Sequence, residues 1–334
     1  MNKIHLGKTA TSRSRKKNII EDVSNKIKLP QDDFTKYLLG KNYSDASIET
    51  FIGDVKKFKA WLKKENMEIE NISYNDMTSY LQSFGNIAQH TKGCYLQGVK
   101  KYFNFLVQKE ERTDNPAEFI QLKGVKRKTL YDILNRQELD NLYHNFTLPD
   151  EANNKDKNQN WFKAKVLAQK RNKVILSLML YQALDARDLK LLTVNDVKLR
   201  EGKIFIPGTR RSNERELKLE ALQIMDVMEY LLTTRKELLQ ITGKQSEHLF
   251  ISIGTSERVA NILGYLLKRL NQLNKKVTSM KQLKASVIVH WLKLYNLRQV
   301  QYMAGHRYVS STESFLVNEM EGMIEDIEKY HPIG

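Results

Sequence analysis

Apolar residues recur at helical spacing through most of this 334-residue chain, and that periodicity limits the folds open to it. Two stripes in the first third of the chain share this spacing: Ile48, Phe51, Ile52, Val55, Phe58 and Leu62, then Tyr95, Val99, Tyr102, Phe103 and Leu106. Capping residues at Ser44 and Ser73 predict where two of the helices begin. We expect four helices in a small bundle over residues 30–120.

A charged segment separates this bundle from the rest of the chain. Asn115-Pro116 breaks the helical pattern, and a basic run begins at Lys123, so residues 121–134 are predicted to be a linker. Helical periodicity returns after Asn135, which has the position of a helix cap, and a second domain is expected over residues 135–334. Two domains of this size can each bury an apolar core.

The period changes to that of strands between Val194 and Leu219. Three short segments, 196–199, 203–207 and 215–219, are separated by a turn ending in Gly202 and by a basic loop over 208–214. This arrangement predicts a three-stranded antiparallel meander whose second loop projects from the domain. The predicted fold is therefore mainly α with a small antiparallel β-sheet.

The charge of the chain points to a polyanionic partner. Lys and Arg together number 55 against 39 Asp and Glu, for a formal charge of +16. Nucleic acid is the favoured partner, although an acidic membrane or the ribosome fits the charge alone. Residues 1–29 are rich in Lys, Arg and Ser and are predicted to form a flexible basic arm. The arm either follows DNA phosphates or is a plain disordered tail.

Cysteine usage and hydropathy exclude several classes of protein. The one cysteine, Cys94, cannot form an internal disulfide and is too isolated to hold zinc, so we expect no metal, no cofactor and a small buried helix residue at this position. No run approaches the length of a membrane span, and no apolar signal sequence is evident. We expect no membrane contact and a cytoplasmic, nucleoid-associated protein.

The segment Gln301 to Thr312, with Gly305-His306 inside it, resembles a motif of the tyrosine recombinase (phage integrase) family. The order of helical bundle, strand meander and this motif also matches the family over about residues 30–334. The ending Asp326 to Pro332 looks like that of recombinases from mobile elements. The resemblance implies a SAM-like core-binding bundle and a catalytic-type domain that close around opposite faces of double-stranded DNA.

The resemblance also implies a chemistry. Enzymes of this family attack a DNA phosphodiester with a tyrosine, which stores the bond energy as a 3′-phosphotyrosyl linkage and needs neither cofactor nor metal. Two arginines, a histidine or tryptophan and often a second histidine stabilise the charged phosphorane, and a lysine in the strand turn protonates the leaving 5′ oxygen.

This sequence departs from that pattern at most of the matching positions. The family-equivalent positions hold Asp185, Asn213, Lys281, Lys284, His306 and Phe315, of which only His306 agrees with the family. A carboxylate at 185 repels phosphate, asparagine at 213 cannot act as a general acid, and phenylalanine at 315 has no oxygen. Arg187 could reach back towards the site, and Tyr308 is the nearest phenol. An engineered Phe315 would explain one of these positions only.

Basic residues that cluster in three places are the candidates for DNA contact. They are Lys92, Lys100 and Lys101 in the bundle, Lys123, Lys126, Arg127 and Lys128 in the linker, and Arg187, Arg210, Arg211 and Arg215 in the second domain. Each of them could instead lie on an ordinary solvated face. If they act together, DNA binding should depend strongly on salt.

Residues 315–330 carry another apolar stripe at helical spacing, which predicts a C-terminal helix that either binds a second subunit or folds back on its own domain. The leading hypothesis is a DNA-binding recombinase homologue that does not cleave DNA by itself and assists an active recombinase of a mobile element. An active recombinase with a rearranged site and a sequence-specific DNA-binding regulator are the alternatives.

Overall fold

The computed structural model describes residue 30 and residues 32–124, 131–148, 159–254 and 259–316. The predicted basic arm, Lys126, Arg127, Lys128 and the C-terminal helix beyond Leu316 lie outside the described residues. The chain divides into two compact units, Met1–Thr129 and Leu130–Gly334. None of the described helices combines the length and apolar character that a membrane span requires.

The first unit is a bundle of helices, as its sequence predicts. Its described helices are α1 (Asp33–Gly40), α2 (Asp45–Lys64), α3 (Tyr74–Gln82) and α4 (Gln89–Gln108), with a 3₁₀ turn at Ile69–Asn71. Ser73 caps α3 through a hydrogen bond from the backbone of Asp76, whose carboxylate accepts one in return from the backbone of Ser73. The core is rich in aromatic rings, with Phe58 and Phe103 fully buried between α2 and α4.

A glycine sets how closely α2 and α4 approach each other. Gly98 of α4 lies against Asp54 of α2, and a methyl group at 98 would stand 2.6 Å from the Asp54 Cβ atom. Asp54 is buried, and its Oδ2 atom has no hydrogen-bond partner within the described residues. Burial raises the pKa of this carboxyl above its usual value, although Lys57 partly opposes the effect.

Two expectations for α4 are wrong. Cys94 is exposed rather than buried, because the apolar stripe of α4 that contains Leu96, Val99 and Phe103 faces the core and Cys94 lies outside it. Lys92, expected on a polar face that meets DNA, is only 9% exposed. Lys92 therefore lies on a buried side of α4, and little of the residue is available for contact with a phosphate.

The second unit is helical around one small sheet. Its described elements are α5 (Arg136–His144), α6 (Asn160–Gln182), α7 (Ala186–Leu191), β1 (Val197–Lys198), β2 (Lys203–Ile206), β3 (Arg215–Lys218), α8 (Ala221–Glu229), a π turn (Tyr230–Thr234), α9 (Arg235–Thr242), α10 (Val259–Leu273), α11 (Met280–Leu294), α12 (Leu297–Ala304) and α13 (Val309–Glu313), with 3₁₀ turns at Val194–Asp196 and Leu199–Glu201. Asn135 caps α5 by exchanging hydrogen bonds with Glu138, as predicted.

The sheet is the predicted antiparallel meander, with strand order β1-β2-β3. Ile204 pairs with Val197 on one side and with Leu217 on the other, and Ile206 pairs with Arg215. Gly202 closes the first turn at a φ of +61°, where a side chain would be strained. Because residues alternate across a strand, Arg215 and Leu217 both point into the domain.

Helix α6 is the central buried helix and begins about ten residues earlier than its apolar pattern suggests. It ends at Ala183, which is fully buried and has a φ of +52°. A left-handed backbone is unusual for alanine and costs free energy that the surrounding packing must offset. This turn directs the chain from α6 into Asp185 and α7.

We predict opposite effects for two glycine-to-alanine substitutions in α4. Gly98→Ala should destabilise the protein by about 1–3 kcal/mol, because its methyl group overlaps Asp54. Gly93→Ala should stabilise it by about 0.5–1 kcal/mol, because only Leu122 lies nearby, at 3.8 Å, and alanine favours the helix. Urea unfolding of the full chain, followed by circular dichroism, measures both. Equal effects of the two variants would contradict the close approach of α2 and α4.

Candidate active site

Asp185, predicted to lie at the position of the first family arginine, is the cap of helix α7. Its carboxylate accepts hydrogen bonds from the backbone N–H groups of Arg187 at 2.8 Å and Asp188 at 3.2 Å. The Asp188 carboxylate in turn accepts one from the Asp185 backbone, which completes a capping box. Asp185 therefore has a structural role as the cap of α7.

Lys284 reaches this carboxylate from helix α11. Its Nζ atom lies 3.2 Å from Oδ2 of Asp185 and 3.8 Å from Oδ2 of Asp188. Burial by itself raises the pKa of the Asp185 carboxyl, but the charge of Lys284 and the two backbone hydrogen bonds outweigh it and hold the pKa below its usual value. The amine expected to meet a DNA phosphate is thus paired with two carboxylates of its own chain.

Arg215, expected to contact DNA, is instead part of the core. Its side chain is fully buried, and its Nη2 atom donates to Oδ2 of Asp188 at 2.9 Å. The Nε and Nη1 atoms have no hydrogen-bond partner within the described residues. The guanidinium lies directly against Gly305, where any side chain would overlap it. The expectation for Arg215 is wrong because the alternation of β3 turns this residue inward.

The basic loop between β2 and β3 was predicted to project from the domain. It is instead attached to the turn after α12. The backbone N–H of Asn213 donates to the Gly305 carbonyl at 2.9 Å, and Ser212 forms a β-bridge with His306. Arg307 donates to the carbonyl of Arg210 at 2.8 Å. Asn213 therefore bonds to the turn through its backbone, while Arg210 and Arg211 remain exposed.

His306 lies in a half-buried position between Thr312 and Phe315. Its Nδ1 atom is 2.9 Å from the Thr312 hydroxyl, and its ring stacks on that of Phe315 with centroids 5.8 Å apart. Burial lowers the pKa of His306 to about 4, and the nearby positive charges of Lys284 and Arg215 contribute to the shift in a smaller degree. The imidazole is therefore neutral at physiological pH.

Five of the six predicted family-equivalent residues lie in or beside one cluster, and Lys281 lies outside it. Lys284 forms an ion pair with Asp185, and the charges of both residues act on His306. Phe315 stacks on His306, and Asn213 forms a hydrogen bond to the adjacent turn. Lys281, one turn before Lys284 in α11, is exposed and makes no ion pair among the described residues. The hypothesis that it joins the site receives no support.

Arg187 and Tyr308 are the remaining candidates for a catalytic group, and the structure shows where each one lies. Arg187 is exposed on α7, with its guanidinium 3.7 Å from Asp185, so it does reach back towards the cluster, but onto a carboxylate. Tyr308 is 70% exposed and precedes helix α13. Phe315 supplies no oxygen at the position nine residues after His306. In chemical terms the cluster contains paired charges and a neutral imidazole.

The predicted DNA-contacting residues of the first unit differ in how much of each side chain remains available. Lys100 donates to the carbonyls of Glu118 and Ile120 at 2.9 and 3.0 Å, so its amine serves the bundle. The Lys101 amine lies over the Tyr43 ring at 5.3 Å, and Lys123 is exposed.

Helix α2 carries further exposed lysines that are candidates for contact with DNA. The exposed lysines of α2 had not been predicted: Lys56, Lys57, Lys59, Lys63 and Lys64. The amines of Lys57 and Lys59 lie over the rings of Tyr95 and Tyr102, at 4.0 and 4.7 Å. The number of lysines opposite the apolar stripe of α2 was a signal that could have found them. The Asp188 partner of Arg215 had no such signal, because it lies 27 residues away along the chain.

We predict that His306 stays neutral between pH 5 and pH 8. Its folded pKa lies below the ordinary 6.5, so its contribution to stability is present above about pH 6.5 and is lost as the pH falls towards about 4. Lys284→Gln should raise this pKa by removing a nearby positive charge, whereas Lys281→Gln, on the exposed side of the same helix, should leave it unchanged. Imidazole NMR titration measures all three proteins. A wild-type midpoint near 6.5 would show that the ring is not held as described.

Comparisons with known proteins agree with this architecture. The profile of the phage integrase N-terminal SAM-like domain matches residues 32–110, which contain helices α1 to α4. Tyrosine recombinase XerC of Oceanobacillus iheyensis is 24% identical over 320 residues, covering 92% of this chain and 97% of the relative. Tyrosine recombinase XerD of Shewanella oneidensis is 23% identical, covering 88% and 93%.

Solved structures share the fold over most of the chain. The XerH site-specific recombinase in a post-cleavage complex with a palindromic difH substrate has a TM-score of 0.63 and 18% identity, covering 86% of this chain and 80% of that one. A lambda integrase dimer bound to a COC′ core site has a TM-score of 0.57 and 13% identity, covering 86% and 75%. The Gly305-His306 motif, the SAM-like bundle before it and the similarity to XerC and XerD over most of the chain support the tyrosine recombinase family, and the solved structures share the fold.

Proposed function

We propose that this protein binds double-stranded DNA as a tyrosine recombinase homologue that does not cleave DNA by itself. In this proposal it serves as an accessory or architectural subunit in the recombination or mobility of a mobile element, in the cytoplasm and beside an active recombinase. The fold supports DNA binding, and the chemistry of the cluster around Lys284 and His306 supports the lack of cleavage.

The observation that carries the proposal is the stacking of Phe315 on His306. The ring of Phe315 packs against the imidazole at 5.8 Å between centroids, in parallel orientation, and contacts the core of the domain. A phenylalanine keeps the packing of a tyrosine but has no hydroxyl to attack phosphorus, so no phosphotyrosyl bond can form at this position.

The charges around this ring support the same conclusion. A phosphorane needs preorganised donors that are not already paired. Here Lys284 is held by Asp185 and Asp188, Arg215 is buried against Asp188, and His306 is neutral. Asparagine at 213 cannot give a proton to a leaving oxygen. Restoring the nucleophile alone would leave each of these features in place.

Two further features support DNA as the partner. The chain carries a formal charge of +16, and Arg210, Arg211 and the lysines of α2 present exposed cations on both units. The names of similar structures record complexes with DNA: XerH with difH and lambda integrase with a core site. By analogy, we propose an inverted-repeat DNA site for this protein as well.

The C-terminal segment 315–330 supplies the proposed contact with another subunit. Its apolar residues at helical spacing follow directly on α13 and would bury against a second copy or an active recombinase. Folding back on its own domain is the competing arrangement. Cross-linking of a Met323→Cys variant in which Cys94 is replaced by serine would separate the two arrangements. Only an intersubunit contact gives a crosslinked dimer.

We predict that Phe315→Tyr alone does not restore covalent attachment to DNA. The substitution returns a hydroxyl, but the phosphate-activating side chains remain paired or absent. The measurement is a denaturing gel of the protein with a nicked substrate that traps covalent intermediates. The substrate is chosen from genomic fragments that the protein enriches at about 150 mM salt. A denaturant-resistant adduct in this single variant would overturn the proposal.

The same assay separates the alternative functions. An active recombinase with a rearranged site would form an adduct as the wild-type protein, and Tyr308→Phe or His306→Ala would abolish it. A DNA-binding regulator would enrich one site and form no adduct, as proposed here, but would not change strand exchange by a recombinase of the same element. An accessory subunit would change the rate or outcome of that exchange.

We predict that the basic loop contributes phosphate contacts. Arg210→Ala with Arg211→Ala should reduce the slope of log affinity against log salt by about 1–2, because each phosphate contact contributes about 0.9. The matched control is Lys236→Ala with Lys268→Ala, which removes two exposed charges from α9 and α10. Fluorescence anisotropy over a salt series measures the slopes. An equal reduction in both double variants would mean that net charge alone, rather than this loop, governs binding.

A further inference from the structure

We infer that the Asp185 carboxylate is an internal counter-anion that keeps Lys284 from binding a DNA phosphate, and that removing this one charge creates a phosphate site. The inference deepens the proposed function and rests on it for its DNA arm. In this inference the Asp185 carboxylate determines whether Lys284 contacts the phosphate backbone of DNA. Asp185 then does more than stand in place of an arginine.

The ion pairs of the cluster form two layers that differ in exposure. In the inner layer, the side chains of Arg215 and Asp188 are 0% and 3% exposed and lie 2.9 Å apart. In the outer layer, those of Lys284 and Asp185 are 17% and 31% exposed and lie 3.2 Å apart. An external anion can reach the outer layer only, so the partner of Lys284 there decides whether the amine is available.

Asp188 cannot replace Asp185 as a full partner of Lys284. The same Oδ2 atom of Asp188 accepts from Arg215 at 2.9 Å, whereas Lys284 stands 3.8 Å from it. Without the charge on Asp185, one buried carboxylate would face both cations, and the cluster would carry an excess positive charge. Arg215 adds to that field, because its Nε and Nη1 atoms have no partner within the described residues.

Asparagine is the substitution that isolates the charge. Asp185 also caps α7 through hydrogen bonds to the backbone of Arg187 and Asp188. Asparagine caps helices about as well as aspartate, so Asp185→Asn keeps the cap and removes the ion pair. Arg187 is a second, weaker partner of Asp185, at 3.7 Å and with a 62% exposed side chain. A double variant at Lys284 separates the two cations.

The DNA experiment compares four full-length proteins: wild type, Asp185→Asn, Lys284→Gln, and the double variant. Asp185→Asn should tighten duplex binding about three- to fivefold at low salt, as for one partly exposed ion contact. It should also steepen the salt slope by about 0.9. Lys284→Gln alone should change neither, because the amine is already paired, and the double variant should lose most of the gain.

A second readout does not depend on DNA binding. The thermal midpoint of each protein is measured with increasing inorganic phosphate, with sodium chloride added to hold the ionic strength constant. Asp185→Asn should gain a phosphate-dependent rise in the midpoint that the wild type and the double variant lack.

The outcomes separate the inference from the proposed function. No phosphate response in Asp185→Asn, or a gain that persists in the double variant, would overturn the role of Asp185 even if the wild type binds DNA. Failure of every variant to bind duplex DNA at low salt would overturn the proposed function. The phosphate titration would then still decide the inference.

Discussion

The buried ion pair between Arg215 and Asp188 is the interaction on which the candidate site depends. It joins β3 to α7 at 2.9 Å, with neither side chain more than 3% exposed. Removing one member of such a pair leaves an uncompensated charge in the interior, which typically costs about 3–5 kcal/mol. The guanidinium also lies against Gly305, whose φ of +70° admits the turn before His306. The sheet, the motif turn and the position of the imidazole therefore follow from one contact.

Around this pair, the other residues of the cluster form a consistent set. Asp185 gives Lys284 a partner of opposite charge in the more exposed layer of the cluster. The β2–β3 loop is attached to the turn at 305–307 by a backbone hydrogen bond from Asn213 to Gly305, by the bridge between Ser212 and His306, and by the Arg307 side chain, which donates to the Arg210 carbonyl. Phe315 completes the packing on the neutral His306. These side chains pair charges or fill space within the second unit and so stabilise its fold locally.

Much of the fold could be predicted from the sequence, because helix periodicity, caps at Ser73 and Asn135, and the Gly202 turn are local signals. The errors arose where a residue type was given more weight than its position. Arg215 was expected at the surface for its charge, yet it alternates with Leu217 on the inward face of β3. The pairs Arg215–Asp188 and Lys284–Asp185 join residues 27 and 99 positions apart, and no local pattern specifies such contacts.

The double role of the Asp185 cap also bears on the evolutionary direction of this site. Arginine at 185 would remove the cap of α7 and add one cation to Arg187, Lys284 and Arg215, which would leave one buried carboxylate, that of Asp188, to face all four. A variant with this single change would therefore be less stable than the present protein. Selection for stability alone would therefore keep an aspartate at position 185.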